Sequence, residues 1–292
     1  MTAKPTTPIP QCRPTDLGSG RPAFGVVIIG DEILSGKRAD KHLPKMIELL
    51  GARGLQLGWA EYVGDDPARI TQVLQRAFAS GDVVFSCGGI GATPDDHTRQ
   101  CAAQALGLTL ALHPEAEALI LERMQDVARE QGVPYEPDRA DNVHRLNMGV
   151  FPVGARIIPN PYNKIPGFSC TGPGGGEVNF VLGFLGMAWP MAEWVLDSHY
   201  GRWFERAAWE ERSVVVFGGM ESTLTPLMVA LEQRFPAIKV FSLPSVDHPQ
   251  YGRHIELGVK GATDAVAQAY PALLAGLHQF DLKLGPELVR NQ

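Results

Sequence analysis

The chain has 292 residues, 26 Lys+Arg against 32 Asp+Glu for a formal net charge of −6, and 45% hydrophobic with 20% charged residues. This is the composition of a globular protein and not of a disordered chain, and the acidic balance argues against a binder of nucleic-acid backbone. No apolar run reaches the roughly 18–20 residues of a membrane span, and the N-terminus lacks the apolar stretch of a secretory signal. The four cysteines, Cys12, Cys87, Cys101 and Cys170, have no metal-ligand spacing. They read as reduced thiols of a cytoplasmic protein.

Residues 1–22, rich in Pro, Thr, Gly and Ser, read as a tail without regular structure. Phe24–Ile29 (FGVVII) is a continuous apolar run, the pattern of a strand buried on both faces. Leu43, Met46, Ile47 and Leu50 recur at helical spacing and predict an amphipathic helix closing at Gly51 or Gly54. Residues 55–63 read as the next strand. Asp66 as N-cap and Pro67 at the first helical position open a second helix, with the stripe Ile70, Val73, Leu74, Ala77 and Phe78. Residues 82–87 (DVVFSC) make a third strand, followed by a glycine-rich turn and another helix. Three strand–helix units in a row predict a doubly wound, mostly parallel α/β sheet, with its ligand crevice beyond the carboxyl ends of the strands.

A longer helix is expected over Pro114–Gln131, then an irregular stretch over residues 133–176, a strand at 178–182 and a helix at 189–199. A break near residues 202–212 separates a second unit with strand 212–217, helix 221–235, strands 238–243 and 255–259, and a closing helix 262–277. That β-α-β-β-α order describes a small α+β domain. The expected boundaries are 23–200 for the α/β domain and 205–285 for the smaller one.

The strongest chemical signal is Cys87-Gly88-Gly89-Ile90-Gly91-Ala92-Thr93-Pro94-Asp95-Asp96-His97-Thr98, directly after a strand. Glycines at 88, 89 and 91 allow positive φ and leave N–H groups for an anion. Thr93 as cap with Pro94 at the first position would begin a helix whose N-terminus adds positive potential for phosphate. The loop is neither a Walker A nor a Rossmann fingerprint. Asp95 and Asp96 beside a phosphate would repel it unless a cation lies between, and hard oxygen ligands with phosphate favour Mg²⁺ or a related divalent ion. Thr93 and Asp96 could instead form a capping-box-like pair, with Asp95 complementing the helix dipole. Spacing does not separate the two.

Residues 30–36 (GDEILSG) also follow a strand and bring Gly30, Asp31, Glu32 and Ser35 to the same edge. Asp40 reads as an N-cap. With Asp66 engaged as a cap, Asp65 is left to point into the crevice. Lys164, in a proline-flanked segment, is a cation with the length to reach a phosphate. Cys87 reads as a packed residue, not a nucleophile.

Taken together, GDEILSG at 30–36, VGDD at 63–66 and GGIGATPDDHT at 88–98 resemble the molybdopterin-binding domain family. That family takes in the molybdopterin adenylyltransferases, the N-terminal half of competence/damage-inducible protein A (CinA) and the N-terminal domain of eukaryotic FAD synthases. Asn160-Pro161 with Pro166-Gly167-Phe168 is similar to the N…APGF segment of the CinA branch. Residues 218–236 and 252–261 resemble its small KH-like middle domain.

The resemblance implies a doubly wound fold with its site at the strand ends and loop glycines at Gly88, Gly89 and Gly91. It places loop acids at Asp95 and Asp96, with Asp65 supplying the acid after the second strand. It further implies ligand contacts from Gly30, Asp31, Glu32, Ser35, Thr93, Asn160, Lys164 and Gly167.

Three positions depart from the family pattern: Ala92 stands for a proline, Asn163-Lys164 for Gly-Thr, and residues 185–191 lack a glutamate. The chain ends before the amidase domain that many CinA proteins carry, and no amidase activity is expected.

The function implied is binding of a phosphorylated pterin or nucleotide and metal-dependent hydrolysis of a nucleotide pyrophosphate such as ADP-ribose or FAD. Mg²⁺, or Mn²⁺ or Co²⁺, would be held by Asp95 and Asp96, and Asp96 and Asp65 would act in catalysis. Binding without turnover, or adenylyl transfer to molybdopterin, are the alternatives. A homodimer is expected by resemblance. The small domain, lacking a GxxG loop, is expected to serve oligomerisation or as a lid and not to bind nucleic acid.

Overall fold

The computed structural model describes residues 22–204 and 209–291. The expected tail, but for its last residue, and Cys12 lie outside them. The chain divides into two compact units, one taking the residues up to Leu50 and Gln56–Trp203, the other Gly51–Leu55 and the residues from Phe204 on.

In the first unit the order is β1 (Phe24–Ile29), α1 (Asp31–Leu34), α2 (His42–Gly51), β2 (Leu57–Val63), α3 (Pro67–Ser80), β3 (Val83–Cys87) and α4 (Thr98–Leu106). Then come β4 (Leu110–Leu112), α5 (Pro114–Gln131), α6 (Ala140–Leu146), β5 (Val150–Pro152), β6 (Arg156–Ile158), β7 (Gly167–Thr171), β8 (Glu177–Val181) and α7 (Leu185–His199). The main sheet has the order β2-β1-β3-β8-β7-β6. β1 pairs in parallel with β2 and β3, and β3 with β8, whereas β7 runs antiparallel to both β8 and β6. Every residue of β1, β3 and β8 is buried, because helices cover both faces of a parallel sheet. At the edge, β2 alternates between half-buried and exposed.

Local chemistry explains the helices. In α3, Asp66 accepts the Arg69 N–H at 2.8 Å, Pro67 holds the first position, and Ile70, Val73, Leu74, Ala77 and Phe78 are buried as their spacing predicts. Asp40 receives the N–H groups of His42 and Leu43 at 2.8 and 3.1 Å and so starts α2. The buried face of α2 differs from the expected one. It runs through His42, Met46, Leu49 and Leu50, and Ile47 is exposed. The reason is that His42 is itself tucked in, its Nε2 lying 3.1 Å from the Gly183 carbonyl, which rotates the stripe toward positions i, i+4, i+7 and i+8.

Residues 133–176, expected to be irregular, carry α6, β5, β6 and β7. These pieces are three to seven residues long, too short for a hydrophobic period to register. What holds them is tertiary. The ring of Phe168 stacks on Phe180 at 4.4 Å and on Phe151 at 4.5 Å, a column of buried aromatics through β5, β7 and β8.

The second unit contains β9 (Trp209–Phe217), α8 (Glu221–Arg234), β10 (Ile238–His248), β11 (Gly252–Ala262), α9 (Thr263–Leu277) and β12 (Lys283–Asn291). Its antiparallel sheet has the order β10-β11-β9-β12. The core joins Val214, Val216 and Leu257 of the sheet to Leu224 of α8 and Leu273 of α9. β12 adds an element to the expected β-α-β-β-α order and runs past residue 285. Its Arg290 donates to both carboxylate oxygens of Glu256, which also receives the Ser213 hydroxyl at 2.6 Å. No helix among the described residues is long and apolar enough to cross a membrane.

Candidate functional site

From β1 the chain leads to β2 on one side, and from β3, on the other side of β1, it leads on toward β8, so the connections after β1 and β3 leave in opposite directions. A crevice opens at such a switch point. It is a cavity of about 520 Å³, floored by Ile29 and Gly30 after β1, Gly88 and Gly89 after β3, and Leu182 and Gly183 after β8.

The loop from Gly88 to Thr98 is organised by its carbonyl groups. The Gly88 carbonyl accepts the Thr98 hydroxyl at 3.2 Å, and the Gly89 carbonyl accepts the Thr98 N–H at 2.9 Å. The Arg99 guanidinium donates to the next two carbonyls, Ile90 and Gly91, the latter at 2.7 Å. Four successive carbonyls are thereby anchored to the start of α4, and Gly88, Gly89 and Gly91 line the cavity, a glycine-rich loop of the kind that suits an anion. Gly88 (φ 106°) and Gly89 (φ 70°) supply the positive φ this path needs. A Cβ at Gly88 would lie 2.4 Å from the Ile29 carbonyl, and one at Gly89 2.1 Å from Thr98 Oγ1. Thr98 and Arg99 are buried, and burial lowers the Arg99 pKa from its ordinary value. Sequence reasoning did not single out Arg99, since an arginine on a helix carries no local mark of where it points.

The expected helix start at Thr93-Pro94 is corrected. Residues 93–97 form turns, and α4 begins at Thr98. Thr93 and Asp96 are nonetheless paired, the Thr93 N–H and hydroxyl donating to Asp96 Oδ2 at 2.7 and 2.6 Å. The pair shapes a loop instead of capping a helix, because the carbonyl anchors at Thr98 and Arg99 hold the chain back from helical dihedrals until residue 98.

Of the sequence-nominated residues, Gly30, Glu32, Asp65, Gly88, Gly89, Gly91, Thr93, Asp95 and Asp96 line the cavity. Two of these acids are perturbed in opposite directions, Asp95 lowered first by a hydrogen bond from the Thr93 side chain and Asp65 raised. Burial, followed by the charges of Asp31, Glu32 and Asp95, raises the Asp65 carboxyl above the usual value, against the pull of the Asp31 N–H. Cys87 is fully buried and its thiol is pushed up to about 12, which leaves it unreactive.

Five nominated residues stand outside the lining. Asp31 pairs with Asp65 from beside it. Ser35 is exposed at the end of α1. Asn160 is buried and spends its side chain on its own loop. Its amide donates to Asn163 Oδ1 and the Ile165 carbonyl at 2.7 and 2.9 Å, and its Oδ1 accepts the Tyr162 N–H. Gly167 is a close-approach position, where a Cβ would meet the Phe180 carbonyl at 2.3 Å. Lys164 turns away to α5, its ammonium held by Glu122 at 2.7 Å and Asp126 at 2.5 Å.

The cations in the lining are Arg38, Arg123 and Arg145. Helical periodicity gave no reason to choose the last two, because the packing of α5 and α6 decides which charges face the crevice. Among the described residues no group of three or more His, Cys, Asp or Glu side chains could by itself hold a metal ion. The acids present match the way Mg²⁺ is commonly held, by one or two carboxylates with the remaining ligands from water and phosphate.

The family described as "Probable molybdopterin binding domain" matches residues 25–246. The chain belongs to that family. Within it, the chain is 32% identical over 206 residues to a CinA-like protein of Citrifermentans bemidjiense, covering 70% of this chain and 46% of that one. It is likewise 32% identical over 146 residues to a CinA-like protein of Gloeobacter violaceus, covering 50% and 32% of the two chains. The chain thus spans a third to a half of the length of these relatives. Among solved structures, the crystal structure of the protein CinA with unknown function from Thermoplasma acidophilum matches with a TM-score of 0.50 and 26% identity, over 60% of this chain and 98% of that one. The chain is therefore a molybdopterin-binding-domain protein of the CinA-like kind, and its crevice lies at the carboxyl ends of β1, β3 and β8.

Proposed function

We propose that this protein binds a phosphorylated pterin or nucleotide at the β1–β3 crevice and hydrolyses a nucleotide pyrophosphate of the ADP-ribose or FAD class with a divalent metal. The observation that carries the reading is the glycine loop, whose Gly88, Gly89 and Gly91 stand beside Asp65, Asp95 and Asp96 in one cavity. The loop is a seat for a phosphoryl group, and the carboxylates supply what hydrolysis of the pyrophosphate bond requires.

In this reading Asp95 and Asp96 would hold the metal, and a divalent ion there would offset the charge that develops on the phosphoryl oxygens. Asp96 is kept in place by its two hydrogen bonds from Thr93. Asp65, whose raised pKa makes its carboxylate a better proton acceptor, orients water. The water oxygen forms a new P–O bond, the bridging P–O bond breaks, and the water's proton passes to the carboxylate. The products are AMP and a second phosphomonoester. Met124, Val127, Met148 and Met187 in the lining give a planar heterocycle an apolar surface. We further propose that the protein acts as a homodimer.

Binding without turnover is favoured by one observation, the lack of a ready three-ligand metal group among the described residues. One experiment separates the readings: AMP release from ADP-ribose and from FAD with Mg²⁺, Mn²⁺ or Co²⁺, with Asp96→Asn as control. Metal-dependent AMP from the wild type, lost in Asp96→Asn with the melting temperature unchanged, is the expected result. Nucleotide or pterin binding with no product from either protein would overturn hydrolysis and leave a binding protein.

A further inference from the structure

Arg123 on α5 and Arg145 on α6 reach the same cavity as the glycine loop, although they come from helices and the loop from the sheet. We infer that these two arginines form a second anion seat, so that the ligand carries a phosphomonoester in addition to the phosphoryl group at the glycine loop. The inference rests on the nucleotide reading proposed above and shifts its substrate class from ADP-ribose and FAD themselves, which carry no phosphomonoester, to nucleotide pyrophosphates of that kind that bear one.

Charge placement argues for it. The four acids of the lining, Glu32, Asp65, Asp95 and Asp96, all follow β1, β2 or β3. Arg38, beside Glu32 at 3.7 Å and two-thirds exposed, belongs to that acidic set. Arg123 and Arg145 stand apart from it on the other elements. Each has only local partners. Arg123 donates to Glu130, itself 61% exposed, at 2.8 Å along its own helix. Arg145 lies 3.4 Å from Asp141 and donates to Asn142 Oδ1 at 2.9 Å. Exposed pairs of this kind contribute little, so exchanging a carboxylate for a phosphate costs little. A guanidinium meets phosphate through two parallel N–H donors, which a lysine cannot do. Lys164, the cation that sequence alone nominates, is already held by Glu122 and Asp126 and leaves the task to this pair. The lining they share also holds Met124, Val127, Met148 and Ile165, with the Asn163 amide as a neutral donor. A cavity of about 520 Å³ is also larger than a single phosphoryl group needs.

The test is calorimetric binding of AMP and of adenosine bisphosphates, both the 2′,5′ and the 3′,5′ isomers, at fixed salt and without turnover. The wild type is expected to bind at least one bisphosphate about tenfold or more tightly than AMP. The double variant Arg123→Gln/Arg145→Gln should lose that gap and keep its AMP affinity, with an unchanged melting temperature. AMP and both bisphosphates binding equally to the wild type would overturn the second seat and leave the proposed nucleotide site standing. If the wild type binds none of the three, the nucleotide reading fails and the second seat fails with it.

Discussion

Asp31 and Asp65 each accept the other's backbone N–H, at 2.9 and 3.1 Å, across the ends of β1 and β2. Reciprocal pairing of this kind ties together two strand-end loops that are 34 residues apart in sequence. It also brings two carboxylates close, a cost the structure accepts at the mouth of the cavity. The arrangement favours a positively charged neighbour, which is why it matters to any metal-assisted reading.

The pH dependence follows from the raised pKa of Asp65. A carboxyl whose folded pKa exceeds its unfolded one binds its proton more tightly when folded. Its ionisation therefore takes stability away as pH rises from about 3.9 through the folded value. Asp65→Asn keeps an acceptor for the Asp31 N–H and removes the charge. Its melting temperature at pH 7 should exceed that of the wild type by roughly 1–3 °C, with the gap closing below about pH 4. Thermal scans from pH 3 to 8 check this, and a gap that widens on acidification would refute it.

Two loop glycines should fail in different ways. Gly88→Ala must place a Cβ at positive φ and 2.4 Å from a backbone carbonyl of β1, so it should cost about 2–4 kcal/mol of folding stability. Gly91→Ala meets only the Asp96 carboxylate, at 2.7 Å. It should cost under about 1 kcal/mol while displacing Asp96 from Thr93 and weakening ligand binding. Denaturant titration beside ligand titration distinguishes a fold defect from a site defect.

Arg99 is the support behind the loop. Arg99→Met keeps the length and leaves the Ile90 and Gly91 carbonyls without their donor, at a cost of about 2–4 kcal/mol. Because peptide orientation in the loop depends on those bonds, ligand affinity should fall as well, even though Arg99 itself does not line the cavity. Hydrogen exchange at the Thr98 N–H, which the Gly89 carbonyl accepts at 2.9 Å, should quicken in the variant as the loop loosens. Unchanged exchange together with unchanged affinity would count against this role.

Lys164 gives the opposite expectation. It holds a left-handed backbone (φ 63°) and is tied to two carboxylates of α5. Lys164→Met should leave ligand affinity within about twofold and move the melting temperature by less than about 2 °C, since the ion pairs are exposed. A large loss of affinity would return Lys164 to the site.

Much of the protein could be read before its structure was known, and the reason is physical. The strand β1 is buried on both faces and apolar throughout, and β3 nearly so, while α3 shows its cap, its first-position proline and its stripe in one short segment. Gly88, Gly89 and Gly91 were legible for the same reason, as chain geometry restricts what can stand there. What sequence alone could not supply is anything that depends on which elements meet. The three- and five-residue strands β5 and β7 are held by the stack of Phe151, Phe168 and Phe180, not by their own propensities. Asn160 carries a motif-like spacing, yet folding turns its amide inward to build a loop. Arg123 and Arg145 join Arg38 among the cavity's cations and Lys164 does not, because the packing of α5 and α6 selects which of their long side chains face the crevice. Local rules determined the scaffold and its glycine loop. Only the tertiary structure decided the charges around them, since a charge has no preferred place until there is a surface to put it on.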